Sequence, residues 1–280
     1  MSTALRIAHG TFGRVALLDM DRPLVRHAHP HCHVLLKVEG ADTQFVVGDR
    51  IYPLTEQTAV LVNGWQPHSY VHDPDRPRTV ILALYIEPDW LTAFRPGWAA
   101  SGAPGFFGHP SGEVSPRIRS LAMNLAADMM ARPEAQGAHE SALSELMIAV
   151  IERFTPWRSF PASIREMNVR SGDWRIRRIT ASMRREARRG AALDRFAQEA
   201  GLSRAHFFRL FESSVGVPPK VFLNVVRMEQ AVDAVLNQSA SICGISSQLG
   251  FAEPAHFTRF FRNHAGVSPR EFRNVSRLAK

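Results

Sequence analysis

The sequence predicts a multidomain α and β protein. A β-rich part spans residues 1–90, a helical hairpin 91–155, a linker 156–172, and an all-α domain with two helix-turn-helix units 173–280. Three observations lead there. A 23-residue stretch occurs twice near the C-terminus, beginning at Ala205 and again at Ala255. Upstream, short β-type apolar runs give way to helical spacing. The charge is also lopsided: residues 173–280 carry 18 Lys+Arg against 9 Asp+Glu, whereas residues 1–172 carry 16 against 17. A chain of 280 residues is itself long for one domain.

Taken in order, residues 14–18, 34–38, 44–47, 59–62 and 79–86 are short, rich in Val, Leu and Ile, and separated by Gly, Asp, Asn and Pro. They read as strands of a small antiparallel sandwich or barrel. Residues 115–132 and 137–154 carry apolar side chains three and four apart, including Leu143, Leu146, Met147, Val150 and Ile151, and predict two helices packed as a hairpin. Two uses are open to that hairpin, cover for the β domain or a dimer surface. Residues 156–172 lack a period and contain two prolines, which suits a linker. Asp173 then caps a basic helix over 174–189 that offers Arg184, Arg185, Arg188 and Arg189 to phosphates.

The repeat carries the strongest signal. Twelve of its 23 positions are identical in the two copies, among them His206/His256, Phe207/Phe257, Arg209/Arg259, Phe211/Phe261 and Gly216/Gly266. A short helical pattern precedes each copy and ends in Gly201-Leu202 or Gly250-Phe251, where glycine supplies the positive φ of a tight helix stop. Ser203 suits an N-cap, and Glu253-Pro254 suit a first turn. Each unit is therefore helix, turn, helix. Its second helix buries the phenylalanines and leaves Arg204, Ala205, Phe208 and Arg209, or Pro254, Ala255, Thr258, Arg259 and Arg262, on the other face. Arginine forks to guanine and small groups that meet the thymine methyl are what a major-groove helix needs. A helix over 219–236, roughly 27 Å long at 1.5 Å per residue, separates the units. That span suits two reading helices in successive groove turns, so one chain reads two half-sites.

The segments GLSRAHFFRLF, GVPPKVF and LGFAEPAHFTRFFRNHAGVSPREFR resemble the DNA-binding domain of AraC/XylS-type transcription regulators over about residues 173–280. Phe222 and Phe272 stand where that family usually has Tyr, and Phe208 takes a DNA-facing place that is usually polar. The resemblance implies an operator-binding regulator that works with RNA polymerase, as a dimer. Its DNA-binding residues here would be Ser203, Arg204, Ala205, Phe208, Arg209, Glu253, Pro254, Ala255, Thr258, Arg259 and Arg262, with Arg262 and Arg270 on phosphates. The segments HAHPHCH (27–33) and AVLVNGWQPHSYVH (59–72) resemble the two signature segments of a cupin barrel, which makes the N-terminal part a cupin-like, effector-sensing β-barrel.

On a strand, His27, His29, His31 and His33 would share one face, and in a cupin that face looks into the barrel toward His68. His29, His31, His33 and His68 are the effector-binding candidates. His29, His31 and His68 could also hold Zn, Ni or Fe. The metal-binding cupin pattern places Glu four or five residues after its HxH; here Leu35/Leu36 or Lys37/Val38 stand there, and Glu39 comes one place later. Cys32 would face away. A metal-dependent cupin enzyme fused to a DNA-binding domain is the alternative, opposed by the missing glutamate and by the lack of a paired carboxylate or nucleophile–base set. The primary expectation is a regulator without enzymatic activity. A sequence-blind architectural binder would hold any duplex equally, whereas a regulator prefers its operator by about 10³-fold or more.

Two cysteines without a pattern suit a reducing cytoplasm. The first residues lack a signal-peptide pattern, and no apolar run approaches the ~20 residues of a membrane span. Cytoplasmic location and no membrane partner are the expectations.

Overall fold

A computed structural model describes residues 3–156, 173–187 and 193–277. Of the expected linker only Pro156 lies among them, and Arg188 and Arg189 lie outside. The N-terminal part contains strands β1 (Thr3–Gly10), β2 (Gly13–Met20), β3 (Cys32–Gly40), β4 (Thr43–Val47), β5 (Arg50–Leu54), β6 (Thr58–Val62), β7 (His68–Val71), β8 (Thr79–Ile86) and β9 (Ser111–Glu113). All their pairings are antiparallel. A six-stranded sheet runs β1-β2-β8-β3-β6-β9, and a three-stranded sheet runs β5-β4-β7. Among the described residues these ladders form two sheets, the antiparallel, β-rich, cupin-like domain that the sequence leads one to expect. An isolated bridge joins His27 to His68.

Period-two alternation sorts the side chains of the larger sheet. Leu18, Met20, Leu35, Ile81 and Ala83 point inward and pack with Phe45, Val47 and Tyr70 of the smaller sheet. Val15, Leu17, Val34, Leu36, Leu82 and Leu84 point outward, beneath helices. Strand β8 is therefore covered on both faces, which is why its sequence is a continuous apolar run. Gly13 and Gly40 are required where they stand: both have positive φ, and a Cβ would come within 2.3 Å of the Tyr85 carbonyl or 2.2 Å of the Arg78 carbonyl.

The outward face is covered by α2 (Pro116–Ala131) and α3 (Gln136–Phe154), after a short α1 (Pro88–Thr92) and a 3-10 helix (Pro96–Gly102). Ser115 Oγ accepts the Ile118 N–H at 3.3 Å and caps α2. Leu143, Leu146, Met147, Val150 and Ile151 are almost fully buried beneath α3. Each such side chain contributes about 1.5–3 kcal/mol. The hairpin's apolar face is thus committed to the sheet, while Met123 and Met130, seven residues apart on α2, stay 36% and 43% exposed.

The C-terminal part contains α4 (Trp174–Glu186), α5 (Leu193–Glu199), α6 (Arg204–Val215), α7 (Pro219–Asn237), α8 (Ile242–Gln248), α9 (Pro254–Ala265) and α10 (Pro269–Arg277). Asp173 caps α4 by accepting the Arg175 N–H at 2.9 Å. One core gathers Ile176, Ile179 and Met183 of α4 with Phe196, Phe207, Phe211 and Phe222. A second gathers Ile245, Leu249, Phe257, Phe261 and Phe272, and runs without a break into the inward face of the β domain.

Candidate functional site

Both helix-turn-helix units are built the same way. Gly201 (φ 67°) and Gly250 (φ 77°) end α5 and α8 in left-handed conformation. The N–H of Leu202 returns to the Ala197 carbonyl at 3.0 Å, and that of Phe251 to the Ser246 carbonyl at 3.1 Å. These close the same helix-stop motif twice. The starts differ. Ser203 Oγ accepts the His206 N–H at 3.4 Å, whereas Glu253 makes no capping bond and Pro254 fills the first turn. Phe207, Phe211, Phe257 and Phe261 are fully buried, which turns the opposite face of α6 and of α9 outward.

On those faces Ser203, Arg204, Ala205 and Arg209, and Glu253, Pro254, Ala255 and Arg259, are exposed, while Phe208, Thr258 and Arg262 are half-buried. Arg204 is held back: it pairs with the Asp194 carboxylate of α5 and lies over the Phe208 ring at 5.2 Å. His206 and His256 are exposed in the first turns of the same faces. The two copies of the repeat share them. Arg184 and Arg185 of α4, and Arg270 of α10, are exposed as well.

The histidines meet, but not on one strand. His27 makes an isolated bridge with His68, through backbone bonds of 2.9 and 2.8 Å, and only His33 belongs to β3. His29 lies between them, its carbonyl accepting the Trp65 N–H at 2.7 Å. Ring centroids stand 4.4 Å apart for His27–His68, 4.6 Å for His29–His68 and 4.8 Å for His29–His33. His33 also stacks on Tyr85 at 4.1 Å. His31 leaves the group. It sits at a bend, and its Nε2 meets the Glu87 carboxylate at 2.8 Å, so His27 takes the place expected of His31 among the possible metal ligands. The cause is local: without strand geometry, alternation no longer decides where the odd-numbered side chains go.

Carbonyl oxygens fix two tautomers. His27 Nδ1 donates to the Val25 carbonyl at 2.8 Å and His68 Nδ1 to that of Gln66 at 3.0 Å, which leaves a lone pair on each Nε2. His68 Nε2 and both ring nitrogens of His29 and His33 are buried without partners. Burial lowers the pKa values of His27, His29 and His33, and brings His68 to about 4, so the group is neutral at neutral pH. Cys32 lies on the other face of β3, under the helices, where burial pushes its thiol up to about 12. Glu39 is exposed at the end of β3.

His27, His29 and His31 line a cavity of about 320 Å³ between the β domain and the helical domain. Arg14, Tyr85 and Glu87 complete the β side; Val225, Met228, Glu229, Val232 and Asp233 of α7 and His264 of α9 form the other. The hydrogen bond from His31 holds Glu87 below its ordinary pKa, whereas burial raises that of Glu229. His264 Nδ1 donates to the Phe260 carbonyl at 2.7 Å, and its ring stands 6.2 Å from that of His27. Further links cross the boundary. The Val25 N–H reaches the Asn263 carbonyl at 3.3 Å, the Arg14 guanidinium lies between Tyr85 and Phe272, and Trp65, itself at φ 63°, stacks on Phe222 at 4.9 Å. No described helix is long and apolar enough to cross a membrane.

Comparison with known proteins matches residues 19–147 to the AraC-like ligand binding domain and residues 196–274 to a helix-turn-helix domain. The lactose operon transcription activator of Staphylococcus xylosus is 33% identical over 58 residues, which span 21% of this chain and 21% of that relative. Among solved structures, an apo variant of ToxT from Vibrio cholerae aligns with a TM-score of 0.58 at 14% identity, over 96% of this chain and 99% of that one. ToxT bound to an unsaturated fatty acid aligns at 0.54 and 13% identity, over 94% and 95%. These two likenesses establish a shared fold. With an AraC-like ligand binding domain matched ahead of a helix-turn-helix domain that contains the duplicated unit, the chain has the two-part make-up of an AraC-type transcription regulator.

Proposed function

We propose that this protein is a sequence-specific DNA-binding regulator whose affinity for its operator is set by an effector in the cavity between its two domains. One observation carries the reading: the cavity is walled by the histidine-rich edge of the β domain on one side and on the other by α7, the helix that joins the two reading units, and by His264 of the second reading helix. A molecule filling that space touches both domains at once. It shifts DNA binding to the extent that it prefers one arrangement of them over the other. ToxT, which shares the fold, is seen with a fatty acid bound; an organic molecule that combines apolar length with a polar end suits the mixed walls here, where Val225, Met228 and Val232 face Arg14 and the histidines.

Arg209, Thr258 and Arg259 read base edges, joined by Arg204 once it releases Asp194. Ser203, Ala205, Phe208, Glu253, Pro254 and Ala255 approach the groove, and Arg262, Arg270, Arg184 and Arg185 hold phosphates. His206 and His256 stand in the same turns and extend the contact. The exposed Met123 and Met130 of α2 belong to a homodimer surface that doubles the DNA contacts. Such a protein works in the cytoplasm beside RNA polymerase, without enzymatic activity. A divalent metal (Zn, Ni or Fe) on the histidine floor of the cavity is the second reading for the effector, favoured by ring nitrogens buried without partners.

Selection from a randomised duplex library is the test. Two recovered half-sites about one helical turn apart support the reading; an enriched pool without a motif overturns it.

A further inference from the structure

We infer that His27, His29 and His68 form a three-imidazole site for a divalent ion of the zinc type, at the contact between the β domain and the second helix-turn-helix unit. The inference deepens the metal reading of the cavity and rests on it. It differs from what the sequence offered in the ligand set, where His27 stands in place of His31.

The donors come first. One ring nitrogen from each of the three histidines lies within 4.8 Å of the other two. Two imidazole nitrogens on one tetrahedral zinc stand about 3.4 Å apart at bond lengths of about 2.0–2.1 Å, so the rings need to close by at most about 1.4 Å, within the reach of side-chain torsions. The outer contacts are already made. His27 and His68 each donate Nδ1–H to a backbone carbonyl, the arrangement that orients an imidazole and turns its Nε2 lone pair toward an ion. His68 is fully buried and its Nε2 has no partner, a cost that an ion would remove.

The chemistry of the set selects the ion. Three imidazoles without thiolate or carboxylate suit borderline first-row ions and not calcium or magnesium. Two of the three histidines, His27 and His29, line the cavity, from which a further ligand can approach. His264 faces it from α9, with its Nδ1 already donating to a carbonyl. Arg14 nearby opposes a positive ion, while Glu87 and Glu229 in the same cavity favour one. Two residues before His27, Val25 is hydrogen-bonded to Asn263, so an ion on His27 tightens the contact that carries the second unit.

The test titrates chelator-treated full-length protein with Zn²⁺ and, separately, Co²⁺. The expected results are one equivalent per chain, visible Co²⁺ bands of tetrahedral intensity, slower amide exchange in α9 on binding, and at least a 100-fold loss of affinity in H29Q and H68Q. H31Q should bind as the parent does. The proposal falls if uptake is not stoichiometric, if H29Q binds unchanged, or if H31Q loses affinity as H29Q does. Circular dichroism checks folding of each variant. Should H68Q fail to fold, H29Q decides, because His29 is only partly buried. Library selection in chelator separates the two ideas: a motif without zinc uptake keeps the regulator and removes the metal site, and zinc uptake without a motif does the reverse.

Discussion

Phe211 and Phe261 hold the same place in the two copies of the repeat, and both are fully buried, yet different things lie behind them. Phe211 packs among Phe196, Phe207, Phe222 and the α4 side chains Ile176, Ile179 and Met183, a core belonging almost wholly to the helical domain. Its contact with the β domain comes through Ala28 and Trp65. Phe261 packs with Phe257 and Phe272 in a core that continues through Met20, Leu35 and Tyr85. Leu24 and Met20 approach the turn at Gly266, whereas nothing approaches the equivalent Gly216. Two nearly equal sequences thus make one unit that stands on its own helices and one that shares its core with the sensing domain. Events in the cavity reach the second unit directly and the first through α7.

The largest expected effect tests that asymmetry. Phe211→Ala and Phe261→Ala should each cost about 3–5 kcal/mol in unfolding experiments, but only Phe261→Ala should also speed amide exchange in the β domain. Equal exchange in both variants would break the comparison. Next come the reading arginines: Arg209→Ala and Arg259→Ala should each weaken operator binding by about 1–3 kcal/mol and relax the sequence of one half-site only, a different one in each case. If selection with either variant returns the parental motif, the docking is wrong. A smaller effect is expected at the helix stops. Gly216→Ala and Gly266→Ala should each lose about 1–2 kcal/mol for the left-handed backbone, and nearly equally, since a Cβ at Gly266 meets nothing nearer than 3.6 Å. A clearly larger loss at Gly266 would show that Leu24 and Met20 clamp that turn. Smallest is a reactivity difference without a change in stability. Exposed Cys243 of α8 should take a thiol reagent in the native protein, while buried Cys32 should not. Phe261→Ala should expose Cys32 to the reagent sooner than Phe211→Ala does.

Much of this was legible beforehand, for reasons that differ by region. The helix-turn-helix units announced themselves because glycine stops, caps and buried phenylalanines act within a few residues and occur twice. Strands β2, β3, β4, β6 and β8 showed as apolar runs because they lie at the centres of sheets or under helices. Strands β1, β5, β7 and β9 did not show: β5 is mostly exposed and contains Pro53, β7 has four residues, and β9 is Ser-Gly-Glu. Neighbouring strands recruit these segments, and their own pattern does not declare them. The cavity was invisible, because Glu229 and Asp233 of α7 carry no sign in the sequence that they would face His31 and Glu87.

By itself, then, the sequence determined the local units: two helix-turn-helix folds with arginines on the open face, a helical hairpin with one apolar side, a β-rich half, and a basic end suited to phosphate. Each depends on interactions within a turn or between adjacent strands, which periodicity and capping residues encode directly. Only the tertiary structure decided that His27 replaces His31 beside His29 and His68, that α7 and His264 wall the cavity, and that the second unit shares the core of the sensing domain. Those outcomes depend on where chain segments some 200 residues apart come to rest, as Val25 does against Asn263. Contacts of that kind follow from how whole faces fill space, and no short stretch of residues records it.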